Sequence, residues 1–112
     1  MDKLYYMGHE VKLIRTYYAS NGRLAIRMCG KSDHDYHDRY EPLCVITVNI
    51  DDGIEMPENM AYIDNNNMPD IIEWLEQNNV ANARFTGEYG RSGYCRYPIY
   101  EFDLTQLAED IL

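Results

Sequence analysis

Apolar and polar residues alternate along much of the chain with the two-residue period of strands half buried in a sheet. Residues 10–19 (EVKLIRTYYA) and 23–29 (RLAIRMC) flank Ser20-Asn21-Gly22, and Asn-Gly between two such runs predicts a hairpin. In the second run Leu24, Ile26 and Met28 alternate with Arg23, Ala25 and Arg27, one face for the core and one for water. Residues 30–41 (GKSDHDYHDRYE) are polar and read as a loop. A third strand is expected at 43–50 (LCVITVNI), with Cys44, Ile46, Val48 and Ile50 on one face. An acidic connection follows at 51–58, then a short strand at 60–63 (MAYI) and a turn at Asp64-Asn65-Asn66-Asn67.

The period changes at 69–78 (PDIIEWLEQN). Pro69 near the first turn, Asp70 and Glu73 at the positive end, and Ile71, Ile72 and Leu75 at helical spacing predict a helix. Residues 83–86 suggest a short strand and 87–93 (GEYGRSG) a glycine-punctuated loop. A strand over 94–102 carries Pro98, which implies an edge position or a bulge. Residues 104–112 (LTQLAEDIL) suggest a C-terminal helix capped by Asp103. The expected fold is α+β: an antiparallel sheet of about four to six strands with two short helices, in a single domain spanning 1–112.

Charge narrows the choice of partners. The formal net charge is −9, and it is uneven: residues 1–31 hold six basic and two acidic side chains, and the rest of the chain four basic and seventeen acidic ones. Such a surface repels nucleic acid and membranes and attracts a basic protein. Solubility alone accounts for the same charge. Eleven tyrosines, against two phenylalanines and one tryptophan, suit half-buried strands and binding surfaces equally. Without an apolar leader or membrane-length stretch the expected location is cytoplasmic, where the three cysteines stay reduced.

The densest chemistry lies at 29–44. Cys29, His34, His37 and Cys44 bring two thiols and two imidazoles, the donors a structural zinc ion prefers, within one loop closed by two strands. Zinc there would order a loop that has no apolar side chains to hold it. Asp33, Asp35 or Asp38 could replace a sulfur or accept the imidazole N–H groups. Two features oppose this reading. The spacing matches no standard finger, and alternation puts Cys44 on the core face while Cys29 sides with Arg27. The competing account is two buried thiols beside a solvated Asp/His loop. A catalytic zinc needs an open position and a general base, and no residue suggests that base. Gly87, Gly90 and Gly93 lack the Lys-Ser/Thr ending of a phosphate loop and read as a turn. His9 reads as solvated and Cys95 as a core residue; Asp51, Asp52, Glu55 and Glu58 lack calcium-loop order. Those four carboxylates, with Tyr36, Tyr40 and Trp74 as aromatic anchors, are the candidate partner-binding set. Trp74 serves equally as a groove filler.

Three segments carry a resemblance: LCVITVNI (43–50), MPENMAYIDNNNMPDIIEWLEQNN (56–79) and GEYGRSGYCRYPIYEFDL (87–104). Together they resemble a family of unknown function found on phages and conjugative elements of Firmicutes, and Gly90, Ser92, Gly93, Tyr97, Pro98, Tyr100 and Phe102 fit its pattern. That resemblance implies no activity. Small acidic proteins of such elements are often inhibitors of host defence, which makes an anti-CRISPR protein the first expectation: non-enzymatic, zinc-containing, and binding a type II RNA-guided DNA nuclease at its basic channel to block target DNA loading or cleavage. An accessory protein-binding module of a mobile element with no defence role is the alternative, followed by a zinc-dependent hydrolase.

Overall fold

The computed structural model describes residues 3–31 and 40–109. Nine strands within these residues form two sheets, with one α-helix and two 3₁₀ turns, so the fold is mostly β and not the balanced α+β expected from the sequence. The first sheet runs β1 (Leu4–Tyr6), β2 (His9–Tyr17), β3 (Leu24–Lys31), β4 (Tyr40–Val45), with β9 (Ala108–Glu109) also on β2. The second runs β5 (Thr47–Val48), β6 (Met60–Ile63), β8 (Cys95–Glu101), β7 (Arg84–Ser92). Every pairing is antiparallel except β2 with β9.

The hairpin predicted at the start of the chain is β2–β3, which pairs Val11 with Gly30 through Tyr17 with Leu24. Its Leu24, Ile26 and Met28 are buried, as the alternation requires, but Ala25 on the face expected to meet water is buried as well. The strand expected at 43–50 is split. Ile46 donates its N–H to Ile26 O (3.0 Å) in the first sheet and accepts Asp64 N–H (2.9 Å) beside the second, so the chain changes sheets at that residue. Ile46 is fully buried there, and buried Thr47 is satisfied by Tyr18 Oη at 2.9 Å and Ile26 N at 3.3 Å.

Between the sheets lies one main core that includes Leu13, Ile26, Met28, Ile46, Ile63, Ile71, Leu75, Tyr100 and Phe102. Helix α1 (Ile71–Gln77) contributes Ile71 and Leu75. It follows the predicted Asp64 turn, whose carboxylate accepts Asn67 N (3.1 Å) and Nδ2 (2.9 Å). Asp70 does not cap the helix; it accepts Tyr6 Oη at 2.8 Å from β1 instead.

Two further expectations fail for physical reasons. The loop expected at 87–93 is the second half of β7. Its glycines act as strand devices: Gly93 (φ +62°) opens the tight turn to β8, and Gly90 has no room for a side chain, because a Cβ there would lie 2.1 Å from the Tyr62 ring. Pro98 lies in β8 opposite Tyr89, beside the register shift between Phe85 and Tyr89, so a bulge accompanies it as expected. It also lies past the last β6–β8 pair, Tyr62 with Ile99, so its missing N–H costs no ladder bond there. The C-terminal helix is replaced by a 3₁₀ turn, Leu104–Gln106, and by β9. Asp103 does cap, accepting Thr105 N (3.1 Å) and Oγ1 (2.6 Å), but Leu107 then leaves helical geometry to bury itself. So short an isolated helix is marginal, whereas the open edge of β2 supplies backbone partners.

Candidate functional site

The outer face of the second sheet carries a smaller apolar cluster, Ile50, Tyr62, Tyr97 and Ile99, with Met56 packed against it. Ile50 and Met56 thereby tack both ends of the acidic 50–58 segment onto the sheet. Arg23, immediately before β3, holds the middle. Its guanidinium donates to Asp52 Oδ1 at 2.6 Å and to the carbonyls of Ile50 and Ile54, and it lies 5.7 Å from the Tyr62 ring centroid. Tyr62 Oη donates to the other Asp52 oxygen, and Ile54 N–H donates to Asp52 at 3.0 Å.

This clamp is electrostatically self-consistent. The Tyr62 hydroxyl, then Arg23 and the Ile54 amide, hold the Asp52 carboxyl down to about 2. Burial, then the bond to Asp52, pushes Tyr62 up to about 12. The Asp52 bond likewise strengthens the hold of Arg23 on its proton. Asp52 is therefore spent inside the chain. Asp51, Glu55 and Glu58 remain exposed, with no cationic partner among the described residues, in the same segment as an Ile54 that is 62% exposed. Arg23, Tyr62 and Ile54 were missed in the sequence. Arg23 alternates with core residues and so reads as a solvated face; only the Asp52 carboxylate far along the chain explains it.

The other candidate residues scatter. Tyr40 belongs to the first sheet, where its hydroxyl donates to Glu10 Oε2 at 2.8 Å and Lys12 Nζ lies 5.3 Å from its ring. That bond, then Lys3 and Lys31, lowers the Glu10 carboxyl. Trp74 is a packing residue: its indole N–H donates to Tyr5 O at 2.7 Å and its ring meets Tyr6 edge-on at 5.3 Å. His9 is exposed, and Cys95 is half buried against the smaller cluster. Tyr36, His34 and His37 lie outside the described residues.

Cys29 and Cys44 stand on neighbouring strands, and no disulfide joins any of the three cysteines. A bulge sets Met28 opposite Cys44 and Cys29 opposite Pro42. Cys44 thus packs against the main core with Met28, while Cys29 is buried on the face it shares with Arg27. Burial, then the nearby Cys29 thiol, raises the Cys44 thiol, so in this setting it keeps its proton. No group of three metal-binding side chains occurs among the described residues. Among the described residues no helix is long and apolar enough to cross a membrane.

Residues 13–110 match the Domain of unknown function (DUF4313), and the chain belongs to that family. No curated protein and no solved structure matches it.

Proposed function

We propose that the chain is a non-enzymatic binding protein that presents its 50–58 loop to a basic protein partner. The observation that carries this reading is the clamp. Arg23 and Tyr62 bind Asp52, and Arg23 also binds the loop carbonyls, which leaves exposed Asp51, Glu55 and Glu58 in one held segment with exposed Ile54. An exposed apolar residue within a charged segment, already ordered, is the arrangement that lowers the entropic cost of association. The net charge of −9 adds long-range steering toward a cationic surface.

Within that class, the partner proposed is a type II RNA-guided DNA nuclease in a host bacterial cytoplasm, and the outcome is blocked target DNA loading or cleavage. The basic channel of such a nuclease supplies the required charge, and the resemblance to sequences of phages and conjugative elements puts an inhibitor of host defence first. The test is binding and cleavage of target DNA by a guide-loaded nuclease with added protein. Wild type should inhibit both, and Asp51→Lys/Glu55→Lys/Glu58→Lys should not. Absence of inhibition by wild type refutes the choice of partner; equal inhibition by both refutes the loop. A structural zinc on Cys29, His34, His37 and Cys44 belongs to the same proposal. Elemental analysis of wild type beside Cys29→Ser/His37→Ala tests it, and equal zinc in both removes the site.

A further inference from the structure

The face of the second sheet opposite the acidic loop carries a different surface. From buried Tyr100 outward, Phe85 lies 5.6 Å away, Tyr89 a further 5.2 Å between centroids, and the Arg96 guanidinium caps Tyr89 at 4.2 Å. Phe85 is 42% exposed and Tyr89 46%, and Tyr94 at the turn is fully exposed. Arg91 pairs directly with Arg96 across the hairpin.

That pairing is costly. The two-residue turn at Gly93-Tyr94 makes Ser92 and Cys95 the first hydrogen-bonded pair, so Arg91 and Arg96 fall at the next, non-hydrogen-bonded position, where side chains stand closest. Like charges there are destabilising. In a chain with nineteen acidic residues, neither guanidinium has a carboxylate partner among the described residues, although Arg84 at the other end of β7 pairs with Glu101 at 3.0 Å. The clamped loop cannot serve, because it covers the opposite face, where Tyr62 lies over Gly90. Among the described residues strand β7 is also an open edge, bonded to β8 alone. The backbone N–H and C=O of Tyr89 and Arg91, facing away from β8 at non-hydrogen-bonded positions, are free to extend the sheet.

We infer that the β7 edge from Tyr89 to Ser92 binds an acidic, extended segment of a partner protein by strand addition, with Arg91 and Arg96 neutralised by its carboxylates and its apolar side chains set against Tyr89 and Phe85. Nucleic acid fits less well, because Arg96 already occupies the face of Tyr89 on which a base would stack. A second copy paired edge to edge would gather four guanidiniums. This surface is separate from the acidic loop, so its failure and that of the loop reading are read independently.

The probe is a fluorescein-labelled peptide of alternating Glu and Val, followed by anisotropy with the full chain. It should bind more tightly than a Lys–Val peptide or oligo-dT. N-methylation of alternate peptide amides should abolish binding, and Arg91→Ser/Arg96→Ser, with an unchanged circular dichroism spectrum, should weaken it by about tenfold. An acidic peptide that binds no better than the basic one, or that ignores N-methylation or the double substitution, overturns the inference. So does tighter binding of oligo-dT, or a concentration-dependent dimer that the peptide disperses.

Discussion

Asp52→Asn changes one atom of the clamp and removes its charge. Asp52 accepts bonds from Arg23, from Tyr62 and from the Ile54 amide, and its side chain is 20% exposed. A hydrogen bond to a charged group contributes about 1.5–3 kcal/mol when well buried. The amide keeps one acceptor oxygen and turns a donor toward the cluster. A carboxyl held from 3.8 down to about 2 corresponds to roughly 2 kcal/mol before allowance for solvent screening. Both routes lead to a loss of about 1–2 kcal/mol at neutral pH, or about 4–8 °C in Tm for a chain of this length. The loss must also depend on pH with a definite sign. The folded-state value lies below the unfolded one, so the carboxylate's contribution is complete above about pH 5, halves near pH 3, and is gone only by about pH 1. Urea unfolding of both proteins across this range gives the difference directly, because every other carboxyl titrates in both. Equal stabilities at pH 7, or a gap that persists undiminished toward pH 2, would refute the clamp.

Other expectations follow from the same contacts. Gly90→Ala has ordinary backbone angles but no space, and should cost about 1–3 kcal/mol by displacing the Tyr62 ring; combined with Asp52→Asn in denaturant titrations, the two losses should be strongly non-additive. Tyr6 and Tyr62 are each pushed up to about 12, by burial first and by Asp70 or Asp52 next, and Tyr100 beside Glu76 is raised as well. Ultraviolet titration of the folded protein should therefore show a late-ionising subset that Tyr62→Phe reduces by one. Because these folded values are raised, stability should hold up to about pH 10 and fall as pH rises through 12.

Local pattern carried the first hairpin, strand β6, the Asp64 turn and helix α1, because in each the spacing of apolar residues and the turn chemistry agree. It failed where one continuous run serves two sheets. Residues 43–50 alternate throughout, yet the change of sheet at Ile46 rests on bonds to Ile26 and Asp64, both distant in the chain. In β7 the glycines resemble a loop until the Tyr62 ring that excludes a side chain at Gly90 is known. The candidate site was half legible. The acidic segment was evident from composition, but Arg23 and Tyr62, which order it, had no signal beyond alternation. Trp74 and Tyr40 stood out as aromatic anchors and proved to be tied to Tyr5 and Glu10.

Order in the acidic loop, beyond its charge, is the central claim. Asp52→Asn and Glu58→Gln each remove one negative charge, but only the first releases the loop from Arg23 and Tyr62. Affinity of the three proteins for the guide-loaded nuclease, measured at one ionic strength, separates the two effects. Asp52→Asn should weaken binding several-fold more than Glu58→Gln; equal losses would show that charge alone attracts the partner and would contradict the account.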